Sequence, residues 1–408
     1  MAMRLLRSRA GESEAEIRSY LYGTLEDLAD ARLMKGMEAA VALLLRKIRE
    51  STPIRIIGDY DIDGVNATHI LVTGLRRAGA RVDTVIPDRL KDGYGINESI
   101  IEQAHADGVE VILTCDNGIS AFHQVELAKK YGMTVVITDH HEVPLDGEKE
   151  KIPPADAVID PKQADCPYPF PEICGAVVAY KLVQVLYARR GVPQMEWLDL
   201  LEFAAIATVG DVMKLQDENR ILVKYGLKKM AQTKNLGLRR LAEKNNLDLG
   251  AITAYHIGFV IGPCLNAGGR LKTAKEALAL LRAQSEEEAE RLAEELKELN
   301  DTRKDMTEQG TEAAKLQVES WYQKDKVLVV FLPECHESLA GIIAGRLREY
   351  YQKPAIVLTR GEEAVKGSGR SIDEYHMFKK LTEVSDLLLK FGGHPLAAGL
   401  SLEEKNID

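Results

Sequence analysis

Short apolar runs alternate with amphipathic stretches through the middle of the chain. PIRIIGD, RVDTVIPD, VEVILTCD, MTVVITD and DAVIDP each concentrate apolar, mostly β-branched residues in a strand-length run that stops at a polar or turn residue. Helical patterns lie between them, near 65–78, 97–106 and 120–131. This alternation predicts βαβ units and a mainly parallel sheet. Residues 1–50 predict amphipathic helix, strongest in LEDLADARLMKGMEAAVALLLRKIRE, and 174–190 and 196–209 predict well-buried helices. Further on, KVLVVFLPE and PAIVLT predict strands and ESLAGIIAGRLREYY the helix between them. The expected class is α/β. The expected divisions are a helical segment 1–50, a parallel-sheet domain 51–272, a connecting helix 273–320 and a smaller α/β domain 321–408.

Two charge blocks stand out. Residues 220–244 carry eight Lys or Arg and one acid, Glu243. They predict either a solvated helical face or a track for a phosphate backbone, with only Tyr225 available for stacking. Residues 286–298 carry seven Glu against Arg291 and Lys297. Ala289, Leu292, Leu296 and Leu299 recur there at helical spacing, so this block predicts a long helix with one apolar stripe, of the kind that joins domains.

Composition narrows the class. The 408 residues are 45% hydrophobic and 28% charged, which is ordinary for a globular chain. A formal net charge of −10 argues against non-specific duplex binding but leaves room for a local basic groove. The five cysteines form no CxxC pair, which argues against a zinc ribbon and for reduced thiols in a cytoplasmic setting. The first residues, MAMRLLRSRAGESEAE, lack the apolar core of a signal peptide, and no run of about 18 apolar residues occurs, so no membrane partner is expected.

The candidate chemistry sits where the strands stop. IIGDYDID, VILTCDNG and VVITDHHE each end an apolar run at Asp. In a parallel sheet the carboxyl ends of the strands share one edge, where ligands bind. Asp59, Asp61, Asp63, Asp116, Asp139, His140 and His141 are therefore expected in one crevice, with Asp211 of ATVGDVM reaching it from the side. Any one such Asp is commonly a helix cap or turn residue. Three strand ends of the same kind and a DHH triplet point instead to a metal site. So many carboxylates repel unless a cation joins them. Oxygen ligands with a few imidazoles and no thiolate suit Mn²⁺ or Mg²⁺. Five or more ligands allow two ions, bridged by a residue such as Asp116, and paired ions ~3.5–4 Å apart serve phosphoryl transfer to water. Alternate residues of an extended segment face opposite ways, so Asp61 and Asp63 can serve different ions, and Asp59 is the least determined.

The ordered series DYDIDG, CDNGIS, TDHH and GDV resembles the DHH phosphoesterase superfamily, and within it the RecJ exonuclease family. IPDRLKDGYGIN, IDPKQADCPYPF, GPCLNAGGRL, HESLAGIIAGRL, GSGRS and FGGHPLAAGL extend the resemblance over residues 54–402. It implies a DHH catalytic domain and a DHHA1-type substrate-binding domain with a central cleft narrower than a duplex. It implies that Asp61, Asp63, Asp116, His140 and Asp211 hold the ions, with Asp116 bridging. It implies for His141 a contact to the scissile phosphate or leaving group, support of the metal site being the alternative. Arg89, Arg270, Ser368 and Arg370 match positions expected to grip a 5′-phosphate. The glycines of NAGGR and GSGRS further suggest backbone amides approaching that phosphate. Gly392, Gly393 and His394 match the GGH motif, a tight turn being the alternative, and His336 stands where the family shows Trp-His, here Cys335-His336. Ile57 replaces a frequent family histidine. The family usually continues into an oligonucleotide-binding barrel, and this chain stops at Asp408, which implies a weaker grip on long strands.

The implied function is hydrolysis of single-stranded DNA from its 5′ end by two ions, in repair and recombination, by a monomer. A nuclease for short RNA or dinucleotides is the alternative. A pyrophosphatase and a catalytically dead scaffold are more distant, since the scaffold relatives lose the metal ligands.

Overall fold

The computed structural model describes residues 7–11, 13–89, 92 and 95–407. Leu90, Lys91, Gly93 and Tyr94 of IPDRLKDGYGIN and the first six residues of the N-terminal stretch lie outside the described residues. The chain forms two compact units, Met1–Lys297 and Glu298–Asp408.

In the first unit, strands β1 (Ile54–Ile57), β2 (Val82–Val85), β3 (Val111–Cys115) and β4 (Thr134–Thr138) precede a two-stranded hairpin, β5 (Leu145–Asp146) and β6 (Lys149–Glu150). Strand β7 (Ala157–Ile159) follows. The five main strands pair in the order β2-β1-β3-β4-β7, all in parallel. β1 and β3 are buried along their whole length, which is why their sequences are apolar runs rather than alternations. The strand order reverses at β1. Helix α1 (Ile62–Arg77) leaves β1, whereas the helices Glu98–Ala106 and Phe122–Lys130 pack with Ile57, Ile112, Val135 and Ile137 in one apolar cluster. A reversal of this kind opens a crevice between β1 and β3 at the carboxyl edge.

The N-terminal segment expected to be helical is so in two pieces. Helices Glu14–Tyr22 and Met37–Arg49 flank two 3₁₀ turns, Leu25–Asp27 and Ala31–Leu33. Asp27 bonds back to Thr24 and Asp30 to the Arg32 amide, and these local bonds compete with the helix. Gly36, at φ +83°, then redirects the chain. Beyond the sheet, α2 (Gly175–Arg190) and α3 (Leu201–Gly210) pack with α1. Helix α4 (Gly262–Leu271) follows a short π-helical turn, and α5 (Glu286–Gln317) runs on into the second unit's residues.

The second unit is a mixed sheet, β8 (Leu328–Phe331), β9 (Ala355–Arg360), β10 (Val365–Arg370), β11 (Leu388–His394) and β12 (Ala397–Leu402), in the order β11-β12-β10-β9-β8. β8 and β9 are parallel and the rest antiparallel. Helix α6 (Glu337–Tyr351) lies against β9 and β10. The sheet separates two apolar clusters, one including Leu339, Ile343 and Val357, the other Ile356, Leu358 and Leu400.

Candidate metal centre

Asp61 caps α1, its Oδ1 accepting from the amides of Asp63 (2.9 Å) and Gly64 (3.0 Å). Asp63, in the first turn, is gripped at both oxygens by the N-terminus of α2: the Gly175 and Ala176 amides donate to it at 2.7 Å each. Asp116 follows β3 directly, in the left-handed conformation at φ +60°. His140 follows β4, and its Nε2 lies 3.1 Å from Asp116, 3.5 Å from Asp63 and 3.9 Å from Asp211. Asp211 ends α3. Asp139 is buried and fixes the triplet: it accepts from the His140 amide (2.8 Å), from His141 Nδ1 (2.7 Å) and from the Ile119 amide (2.9 Å).

These side chains form three overlapping sets whose candidate ligand atoms lie within 4.8 Å of one another. They are Asp59, Asp61 and Asp116; Asp63, His140 and Asp211; and Asp116, His140 and His141. Asp61 and Asp63 fall in different sets. Asp59 joins the first, so its extended neighbour does not turn it away.

The electrostatics ask for a cation. Burial, then Asp61 beside it, pushes Asp59 up to about 7. Burial and Asp63 push Asp211 up to about 8, and burial among Asp63, Asp61 and Asp59 holds Asp116 well above the carboxylate range. Burial also lowers His140, keeping its ring neutral and able to ligate. Burial opposes charge on His141, but its hydrogen bond to Asp139 prevails and raises it to about 9. Asp59 Oδ1 and His140 Nδ1 are buried without a partner among the described residues. Cys115 and Cys174 lie nearby, and burial pushes both thiols up, Cys115 to about 12, so neither offers a thiolate. Oxygen and imidazole donors, orphaned buried atoms and mutual repulsion all fit a hard divalent ion.

Beside Asp61, a cavity of about 150 Å³ is lined by Tyr60, Arg89, Asn266, Gly269 and Arg270. Arg89 lies over the Tyr60 ring at 5.1 Å. Pattern alone missed Tyr60 and Asn266, although both sit inside the quoted motifs DYDIDG and GPCLNAGGRL.

In the second unit, cross-strand register places Arg370, Ala397 and His394 in one row and Ser368, Gly399 and Gly392 in the next, on one face. Arg370 Nη1 donates to Ser368 Oγ at 3.2 Å. A Cβ on Gly341 of α6 would meet Arg370 Nη2 and Ser368 Oγ, each at 2.9 Å, whereas a Cβ on Gly392 or Gly399 would point into open space. His336 caps α6, its Nδ1 lying 2.8 Å from Ser338 Oγ. Gly341 and Gly399 also escaped notice, because a missing side chain leaves no chemical signature.

Two expectations change. The glycines of GSGRS do not free amides for phosphate, because β10 is paired on both sides. They make room instead: Cβ atoms on Gly367 and Gly369 would press on Leu358 and Met377. The NAGGR glycines lie inside α4, where Gly269 lets the helix approach the Tyr60 carbonyl. The GGH residues end β11 at the two-residue turn Pro395–Leu396, which leaves His394 exposed, and Gly393 adopts φ +150° there. The basic run is largely engaged too. Arg239 and Arg240 pair with Glu286 at 2.9 and 3.0 Å, Lys244 with Glu290 at 2.6 Å and also with Glu294, and Lys229 with Asp199 at 2.7 Å.

Residues 53–208 match the model of the DHH family, N-terminal domain, and residues 324–408 that of the DHHA1 domain. The single-stranded-DNA-specific exonuclease RecJ of Escherichia coli K12 is 37% identical over 422 residues, spanning 98% of this chain and 71% of that protein. The chain belongs to the RecJ family. The RecJ of Bacillus subtilis is 38% identical over 405 residues, 99% of this chain and 50% of that protein, so the chain spans half the length of that relative. A crystal structure of a RecJ exonuclease bound to manganese superposes with a TM-score of 0.80 at 34% identity, covering 92% of each chain. RecJ from Thermus thermophilus in complex with Mg²⁺ gives 0.72 at 30% identity, over 99% of this chain and 56% of that one.

Proposed function

We propose that this chain is a metal-dependent exonuclease that hydrolyses phosphodiester bonds of single-stranded DNA from the 5′ end, with two divalent ions, Mn²⁺ or Mg²⁺. The observation that carries it is the set of donor groups meeting at Asp116 and His140. Asp59, Asp61 and Asp116 would hold one ion, and Asp63, His140 and Asp211 the other, with Asp116 near enough to His140 to serve both. Bound ions supply charge neutralisation at the attacked phosphate and lower the pKa of a water nucleophile. The chain's own residues do the rest. The α2 amides hold Asp63 in place before any ligand arrives, so no ordering cost falls on catalysis. His141, kept charged by Asp139, offers a proton or a hydrogen bond to a phosphate oxygen or the leaving group.

Arg89 and Arg270, sharing a cavity beside Asp61, grip the terminal phosphate. In the second unit Ser368, Arg370, His394 and the bare backbone at Gly392 and Gly393 carry the strand, with His336 as a further contact. Residues 51–272 thus house the chemistry and 321–408 the strand-binding face. Among the described residues no helix is long and apolar enough to cross a membrane. The five free thiols support a cytoplasmic setting, and we place the protein there as a monomer in DNA repair and recombination.

Single-stranded DNA labelled at its 3′ end, incubated with Mn²⁺, tests the proposal. Stepwise shortening from the 5′ end is expected. Activity confined to oligomers of a few nucleotides would favour the short-RNA alternative, and tight metal binding without hydrolysis would favour a scaffold.

A further inference from the structure

A cavity of about 810 Å³ in the first unit lies away from the carboxylate cluster. Two helices link the places. Helix α1 starts at the Asp61 cap and carries His69 at its middle and Arg76 and Arg77 at its end; its 16 residues span about 24 Å. Helix α3 carries Glu202 and Phe203 in its first turn and ends at Asp211.

The cavity wall gathers Arg76, Arg77 and Arg282. Their recorded partners are neutral: the Val82 carbonyl (3.3 Å), the Glu196 carbonyl (2.8 Å) and Thr84 Oγ1 (3.5 Å). Among the described residues none of the three pairs with a carboxylate. Other arginines of this unit do, as Arg55 does with Asp83 at 2.7 Å and Asp107 at 2.9 Å. Arg76 and Arg77 are exposed residues, whereas Arg282 is partly buried, and burial and Arg76 lower it. Among the described residues, two buried polar atoms on the same wall also lack partners, His69 Nδ1 and Glu202 Oε2. His69 and Glu202 are only 5% and 3% exposed. Phe203, its ring 4.2 Å from that of His69, adds an aromatic surface.

We propose that this cavity binds a phosphate monoester of nucleotide size, at a site separate from the metal centre. Guanidinium groups that pair with no carboxylate among the described residues supply fork-shaped donors for phosphate, on a wall that also carries Glu288 and Asp199, the latter paired with Lys229. The volume falls in the ~300–1,000 Å³ range of small-molecule sites and exceeds what a bare phosphate fills. The orphaned imidazole and carboxyl face the remainder of the ligand, where base or sugar atoms bond them. Burial pushes Glu202 up to about 7, so that group both donates and accepts near neutrality.

The test uses the protein in EDTA, titrated calorimetrically with dAMP and, separately, with inorganic phosphate. dAMP is expected to bind and to raise the melting temperature, with phosphate weaker by about tenfold or more. Arg76→Gln/Arg282→Gln should weaken dAMP by about tenfold, while Asp116→Ala leaves it unchanged. Arg76→Gln alone, at an exposed residue, is the milder variant should the double one fold poorly, and it too should weaken binding. No binding of either probe at about 10 mM, unchanged affinity in the arginine variants, or phosphate binding as tightly as dAMP overturns the proposal. Loss of binding in Asp116→Ala overturns it as well, by placing dAMP at the metal centre.

Discussion

Asp116 is a non-glycine residue in the left-handed region, a conformation that costs about 1 kcal/mol and persists where the surroundings dictate it. Here it turns the carboxylate from the end of β3 toward Asp59, Asp61 and His140. Asp116→Ala removes the group shared by two donor sets. It should lower Mn²⁺-dependent hydrolysis on the order of 10³-fold or more. Circular dichroism should remain unchanged, and in EDTA the variant should melt no lower than its parent, because a buried carboxyl whose charge Asp63, Asp61 and Asp59 oppose has been removed. Near-normal turnover would refute the shared-ligand assignment. His69 permits a cleaner titration, far along α1 from the carboxylates. Burial lowers it to about 3 against an ordinary 6.5, so between those values the unfolded chain binds a proton that the folded one refuses. Its contribution is intact above 6.5 and is lost as pH falls toward 3, by at most ~1.4 kcal/mol per pH unit. Urea midpoints at pH 7, 5 and 4 should show the parent losing ground to His69→Phe as the solution acidifies, and a constant difference would count against a buried neutral imidazole.

At the scale of elements, strands announced themselves where the physics acts on side chains. β1, β3 and β4 are buried on both faces and read as apolar runs, and the acids that stop them are visible for the same reason. β10 and β12 are different. GSGR and AAGL are built around glycines that admit Leu358, Leu400 and Met377 or leave backbone bare, so their strand character lies in pairing rather than composition. The clamp on Asp63 is equally silent, since amides at Gly175 and Ala176 look the same in every sequence. The break in the N-terminal helix turns on short-range bonds of Asp27 and Asp30 that hydrophobic periodicity does not record. Gly341 offers the sharpest test at this scale. Gly341→Val places branched carbon where Arg370 and Ser368 now meet α6. It should raise KM for single-stranded DNA about tenfold with a smaller change in kcat, because it disturbs the face proposed to carry the strand and not the carboxylates. A fall in kcat at constant KM would contradict that division.

Across the whole molecule, charge is arranged in pairs that sequence distance conceals. The basic run and the acidic start of α5 look like two separate patches, yet Arg239, Arg240 and Lys244 spend their charge on Glu286, Glu290 and Glu294. Exposed pairs of this kind add little stability, but they remove cations from the field that a polyanion meets. Glu286→Gln/Glu290→Gln/Glu294→Gln should therefore tighten non-specific binding of single strands at ~50 mM salt and lose that gain by ~200 mM, as filter binding or anisotropy would show. Unchanged affinity at low salt would mean that the run is remote from any strand. The glycine rows of the second sheet carry a last consequence. On the face proposed to carry the strand, the main chain at Gly399 spends its donors and acceptors on the sheet, and Ser368 and Arg370 beside it suit the repeating sugar-phosphate rather than the edges that tell adenine from thymine. Digestion should then run at an even pace through homopolymer and mixed templates alike, and stall at a methylphosphonate linkage whatever letters flank it.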